Sequence, residues 1–268
     1  MGSGVNWRLA ILPVDGTLPP VADDAERTKA ERVRSITSTR EKLYNSVAVG
    51  ADLHANYMLL VALSTIVAGI GLVSDNVAVV VGAMVIAPLL GPNLALALAA
   101  ALGDRALMVK AAGTSAAGIG LAILFPAAFS LLAPVALDSR ELLLRTSVDY
   151  DGIALGLASG AAAALSLTTG LSTTLVGVMV AVALLPPAAT AGLMLGAGHT
   201  ELATGALALL VVNVISVILS AEIVFVFKGI TPHRWFERKE AHQSIALTIA
   251  IWLALLTAFA LLIAVKYI

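Results

Sequence analysis

The chain has no cysteine. That excludes a disulfide framework, a thiolate metal site, a thiol nucleophile and a redox pair. Charge is scarce as well: Asp, Glu, Lys and Arg make up 12%, where an ordinary soluble domain carries about 25%. A net charge of −1 excludes a strongly basic nucleic-acid binder. The four histidines, His54, His199, His233 and His242, are dispersed without metal-ligand spacing, so neither a metal nor a cofactor is implied. Gly156-Leu157-Ala158-Ser159-Gly160 only approximates a serine-protease signature, with no helix-borne histidine beside it. Ala101-Leu102-Gly103-Asp104 lacks the first glycine of an intramembrane aspartyl motif. The sequence therefore does not read as an enzyme.

What is present is apolar. Hydrophobic residues make up 59% of the 268, and mean hydropathy is +0.97. Several runs exceed the roughly 20 residues that cross a bilayer as a helix. The expected fold is an all-α, polytopic membrane protein, with the lipid bilayer as its first partner.

One stretch organises the rest: Val81-Gly82-Ala83-Met84-Val85-Ile86-Ala87-Pro88-Leu89-Leu90-Gly91-Pro92-Asn93. Pro88 and Pro92 each remove a backbone donor, and each ring clashes with the preceding turn. In hydrocarbon the freed carbonyls have no water to turn to, so protein or a wet cavity must satisfy them. Ninety-five residues later the chain reads Val176-Gly177-Val178-Met179-Val180-Ala181-Val182-Ala183-Leu184-Leu185-Pro186-Pro187-Ala188, matching residues 81–92 at seven of twelve positions. The pairs Ser64/Ser159 and Gly103/Gly198 keep the same offset. This predicts a duplicated three-segment unit, each copy carrying one Pro/Gly-broken helix.

Residues 1–55 read as a cytoplasmic N-terminal segment, with one strand at 7–13 and an amphipathic helix across 25–53. Residues 56–136 form the first membrane repeat, 137–151 an interfacial segment, and 152–227 the second repeat. Residues 228–242 form a basic loop in which Trp235 and Phe236 suit the membrane interface. Residues 243–268 hold a final transmembrane helix with no partner in the repeat.

If both broken segments span, there are seven crossings, and three per copy inverts the second copy relative to the first. With the N-terminus inside, 13 Lys and Arg lie inside and 3 outside, as the positive-inside rule requires. Re-entrant hairpins at both breaks give the same count. Length favours spanning, since 26 residues at about 1.5 Å each exceed a core of about 30 Å. Both arrangements keep the N-terminus and the 228–242 loop in the cytoplasm.

The paired breaks point to a site near mid-membrane, because interrupted helices expose partial charges suited to ions or small charged solutes. The residues assigned to an ion or solute path are Asp75 and Asn76 at a helix-capping turn; Pro88, Gly91, Pro92 and Asn93 at the first break; Pro186, Pro187 and Thr190 at the second; and Asn213, Ser216 and Glu222 on the sixth segment. Each has a plainer reading. Prolines also merely kink packed helices. Asn213, Ser216 and Ser220 also serve as interhelical hydrogen bonds. Glu222 also reaches water or Lys228 from a helix end. The stripe Gly152, Gly156, Gly160, Ala164 brings two backbones together, either within the chain or between copies in a homo-oligomer.

The motif beginning Asp75-Asn76 and Val81 to Pro92, followed by Gly103-Asp104, resembles the prokaryotic membrane family catalogued as domain of unknown function 389. The second motif, Val176 to Pro187 with Gly192 and Asn213, is similar to that family too. The resemblance covers roughly residues 40–227. It implies an integral inner-membrane protein, and many members carry a small soluble domain ahead of the membrane part. It supplies no substrate. Ala183 stands where the first motif has Pro88, so the two halves are not equivalent. The leading functional expectation is a transporter-like or channel-like protein for an ion or small solute. The alternative is a non-transporting sensor or scaffold acting through its cytoplasmic N-terminal region.

Overall fold

A computed structural model describes residues 43–132, 138–169, 173–230 and 238–266, with the side chains of 173–183, 238–244 and 262–266 outside that description. All of them belong to one compact unit, Arg40–Ile268. The expected strand at 7–13, and most of the expected helix across 25–53, lie outside the described residues. The described residues are all-helical. A lead-in helix at 43–48 passes into a 3-10 turn, Val49–Ala51. Then come α1 (Ala55–Val73), α2 (Val77–Ile86), α3 (Leu90–Leu102), α4 (Arg105–Leu132), α5 (Arg140–Leu143), α6 (Tyr150–Thr169), α7 (Thr173–Gly196), α8 (Thr200–Phe227) and α9 (Arg238–Lys266).

Among the described residues, α1, α4, α6 and α8 are long and apolar enough to cross a membrane, and the bent pair α2–α3 would make a fifth span if counted as one. The described apolar parts of α7 and α9 are shorter, Leu184–Gly196 and Ile245–Leu261. On α1, Leu59, Leu63, Ile66 and Ile70 are all exposed at helical spacing. Such an apolar stripe has no place in water and suits acyl chains. α8 is different: 72% of its apolar window is buried, as an all-round apolar helix requires. It forms the core, packed by α3, α6, α7 and α9.

Helix ends follow local chemistry. Asp75 (φ 52), Gly103 (φ 67), Gly198 (φ 82) and Gly229 (φ 72) are left-handed. In each case the next N–H bonds back five residues: Asn76 to Gly71 O, Asp104 to Ala99 O, His199 to Met194 O, and Ile230 to Phe225 O. This closes the last turn in a Schellman motif. Asp75 is the one non-glycine, a residue type that tolerates this region. The bounds also repeat: Ala55 and Tyr150, Arg105 and Thr200, Leu132 and Phe227 are each 95 residues apart.

Contacts at both ends fix helix directions. Tyr57, near the start of α1, donates to Thr114 O of α4 at 3.3 Å and lies against Gly118. At the other end, Ser139 Oγ donates to Leu72 O, and Glu141 N donates to Asp75 Oδ1 at 2.8 Å. α1 and α4 are therefore parallel, and α2–α3 must travel from one end of the bundle to the other. Gly192 and Gly196 of α7 meet Ile123 and Ala127 of α4 in parallel register. Gly152, Gly156 and Gly160 of α6 meet Leu209, Ser216 and Val217 of α8, again in parallel. Since α8 folds back on α7 through the Gly198 turn, α6 and α8 run opposite to α1, α4 and α7.

The two motifs fold differently. α2 and α3 are bent by 56° at Ala87, which is extended (φ −69, ψ 118), as the residue before a proline prefers. The expected second break does not form: α7 runs from Thr173 to Gly196 through both Pro186 and Pro187. The first copy loses donors at 88 and 92, a full turn apart, with Gly91 between them. The second has Ala183 in place of Pro88 and loses two adjacent donors within one turn, which a helix absorbs when its neighbours hold it.

Candidate functional site

The first break is enclosed by polar contacts. Asn93 is 1% exposed, and its amide is committed on both sides. Nδ2 donates to Leu89 O at 2.7 Å, and Oδ1 accepts from Ser115 Oγ at 3.2 Å. A buried amide needs such partners, because an unmet one costs about 1–3 kcal/mol. Pro92 is buried, while Pro88 and Gly91 are half-buried. Pro92 is the third residue of α3, where an N–H would have no intrahelical partner in any case. The last carbonyls of α2 and the first N–H groups of α3 face each other's neighbourhood, which sets a partial negative end beside a partial positive one. Ser115 is the eleventh residue of α4, about 15 Å from its start at about 1.5 Å per residue. α2 packs on α7, so the two motif-bearing segments touch.

The lead-in segment closes over this break. A Cβ on Gly91 would sit 3.2 Å from Gly50 Cα, an approach that only glycine on both sides permits. Ala51 is fully buried, and its carbonyl accepts from Thr114 Oγ1 at 2.7 Å. Lys110 pairs with Asp52, and His54 lies 3.8 Å from the same carboxylate. Tyr44 donates to Asp104 Oδ2 at 2.8 Å, while Asp104 Oδ1 caps α4 by accepting from Leu107 N at 3.0 Å.

The hydrogen bond from Lys110 holds the Asp52 carboxyl below its ordinary range, against the opposing effect of burial, with the charges of Lys110 and His54 adding to the depression. That contribution to stability is present above the unfolded pKa of about 3.9 and disappears as pH falls through the lower folded value. Tyr44 goes the other way. Its hydrogen bond to Asp104 raises the phenol, helped by burial and by the Asp104 charge. Its contribution is complete below the unfolded pKa of about 10 and is lost as pH rises through the folded value. Phenolate absorbance of Tyr44, read as the difference between the native protein and Tyr44→Phe, is expected to appear above pH 10 and later than for free tyrosine. Appearance at or below the free value would show that the Asp104 contact does not form.

The remaining path residues do not join this site. Asp75 and Asn76 are exposed at the far end of α1, where Asn76 caps α2 by accepting from Val79 N at 3.2 Å and Asp75 anchors α5. Asn213, Ser216 and Ser220, read as a polar path or as interhelical packing, face the α6 glycine stripe: Asn213 beside Gly152, Ser216 against Gly156, and Ser220 against Gly160. The stripe brings backbones together within the chain, and the small polar residues fill the seam. Pro186, Pro187 and Thr190 are buried in α7, and Thr190 Oγ1 has no partner among the described residues. Glu222, assigned to the path with water or Lys228 as its plainer reading, is 0% exposed and takes Thr248 of α9 as its partner at 2.6 Å.

Sequence reasoning missed Ser115, Thr114 and Thr248. The available signal was a hydroxyl in an otherwise apolar helix, opposite an amide or carboxyl whose partner was still to be found.

A family model described as Domain of unknown function (DUF389) matches residues 84–219, a span that includes both proline motifs. An uncharacterized protein of Methanocaldococcus jannaschii is 37% identical over 263 residues, covering 98% of this chain and 81% of its own. No solved structure matches the chain.

Proposed function

The chain belongs to the family described as Domain of unknown function (DUF389), and from that premise we propose a transporter-like or channel-like membrane protein that moves an ion or small solute past the break between α2 and α3. The observation that carries this reading is the α2–α3 break itself, set inside the bundle with Asn93 and Ser115 beside it. A helix interruption inside an apolar bundle is costly unless it lines a site.

The inverted-repeat reading is supported by helix bounds that recur at one offset and by opposed directions, with α1 and α4 antiparallel to α6 and α8. Only one copy breaks, so the site belongs to the first copy and to α7 packed against it. The cytoplasmic placement of the N-terminus is supported by the charge count and by the lead-in, whose Asp52 and Tyr44 sit at the basic end of α4. A prokaryotic plasma membrane is the location proposed.

Purified protein in liposomes, screened with a panel of monovalent ions and small anions, is the test. Asn93→Leu is expected to lower the flux about tenfold or more, the size of an effect of about 1–3 kcal/mol on a buried polar group. Gly82→Ala, at an exposed position with nothing within 4 Å, is expected to leave the flux unchanged. Equal flux in wild type and Asn93→Leu would move the path away from the break.

A second reading rests on the lead-in. Its attachments to α3 and α4 would let a cytoplasmic region act on the membrane part without transport. Removing residues 1–42 should then abolish a cellular phenotype while leaving flux in liposomes as it was.

A further inference from the structure

Glu222 lies in α8, where it meets α9, away from the break. It is fully buried, and its two oxygens are treated unequally. Oε1 is 2.6 Å from Thr248 Oγ1, whereas Oε2 has no partner among the described residues. The Thr248 hydroxyl is also 2.9 Å from Ile245 O. A hydroxyl has one proton and two acceptor lone pairs. It cannot make a good linear bond to both oxygens with that one proton.

Placing a proton on the carboxyl resolves the count. Glu222 then donates to Thr248 Oγ1, and Thr248 donates to Ile245 O, so that each hydrogen has one acceptor. An ionised carboxyl there would instead be a buried charge without a counter-ion among the described residues. Those residues offer no cation beside it; Arg238, Lys239 and His242, in the first turns of α9, have side chains outside the description. α3, α7 and residues 245–261 of α9 contain no charged residue. α6 has only Tyr150 and Asp151, in its first turn. On α8 itself, Glu201 is at the opposite end, and exposed Lys228 follows the helix six residues on. A metal ion is also a poor occupant. Calcium takes about 6–8 oxygen ligands and magnesium about six, and this corner offers a carboxyl, one hydroxyl and a carbonyl.

We propose that Glu222 is a proton-binding site built into the α8–α9 seam, holding its proton against Thr248 in the state seen here. This names the proton as the ion class for the transport reading and rests on that reading only for what the proton is used for. The indole Nε1 of Trp252, one turn beyond Thr248 on α9, is also buried without a partner among the described residues.

Infrared difference spectra of the full chain in lipid nanodiscs, with and without carboxyl-labelled glutamate, test the proposal at neutral pH. A protonated-carboxyl C=O band that shifts with the label and disappears in Glu222→Gln is expected. Glu222→Gln keeps shape and hydrogen-bond partners, so the fold is preserved. A second measurement uses dicyclohexylcarbodiimide, which a protonated carboxyl adds across to give an N-acylurea with no leaving group. Mass spectrometry should find the adduct on Glu222 and find its yield falling as pH rises. A carboxylate band in place of the C=O band, or an adduct yield independent of pH, would overturn the proposal. Neither readout needs transport: a protonated Glu222 in a protein that moves nothing would sink the transport reading alone.

Discussion

Gly160→Leu is expected to separate α6 from α8 and to remove the folded protein from detergent solution. Even the first added carbon would run into Val217 O and the Ser220 hydroxyl, and it would lie 2.7 Å from Val217 Cα. A side-chain tip can rotate away from an intruder; a helix backbone in a packed core cannot. Overpacking typically costs about 1–3 kcal/mol, and the expected loss lies at or beyond the top of that range. The neighbouring contacts make it worse, because Gly156 sits closely on Ser216 one turn earlier, where a Cβ would lie 2.8 Å from Ser216 Cβ. Gly160→Ala should show the same defect at smaller size. The comparison that decides the matter is Gly82→Ala. Gly82 belongs to the repeated motif but faces open space, so alanine there gains helix propensity of about 0.8–1.0 kcal/mol and should raise the melting temperature slightly. Thermal unfolding in one detergent, read for all three variants, checks the order. If Gly160→Leu melts with the native protein, the α6–α8 seam is not packed as described.

The second large effect is expected from Ala183→Pro, which gives the second motif the proline that the first one has at 88. α7 passes through position 183 as helix and already lacks the donors of Pro186 and Pro187. A third missing donor, at the position homologous to Pro88, would remove the bond to Met179 O and force the ring against that carbonyl. The cost is about 3 kcal/mol or more for an interior proline, and in hydrocarbon a freed carbonyl has no water to turn to. Melting temperature should fall accordingly. Amide exchange around residues 179–183 should accelerate as α7 opens there. The reciprocal change, Pro88→Ala, should slow exchange over 84–90 by restoring a donor. If Ala183→Pro were as stable as the native chain, the difference between the two copies would not come from that proline.

The chain's apolar composition, its helix-stopping turns and its ninety-five-residue recurrence were all legible in the sequence. These are local or periodic properties. A run of aliphatic residues is incompatible with water wherever it is placed, and Gly103 and Gly198 end helices because the left-handed cap is a property of one residue and its neighbours. The extended backbone of Ala87 is what a residue before a proline prefers. The sequence equally left Asn213 and Ser216 as a path or as packing, because a small polar residue in an apolar helix carries both meanings. It left the count of Lys and Arg satisfied by two topologies.

Only the tertiary structure brings distant residues together. Parallel α1 and α4 are joined end to end by α2–α3, an arrangement set by contacts between residues about sixty apart, such as Tyr44 with Asp104. The glycine stripe of α6 packs against the α8 hydroxyls of Ser216 and Ser220. Glu222 found its partner on α9, where no periodicity could point to it. Proline motifs of similar wording gave one broken helix and one continuous helix, since a lost backbone bond is tolerated or not according to what packs around it.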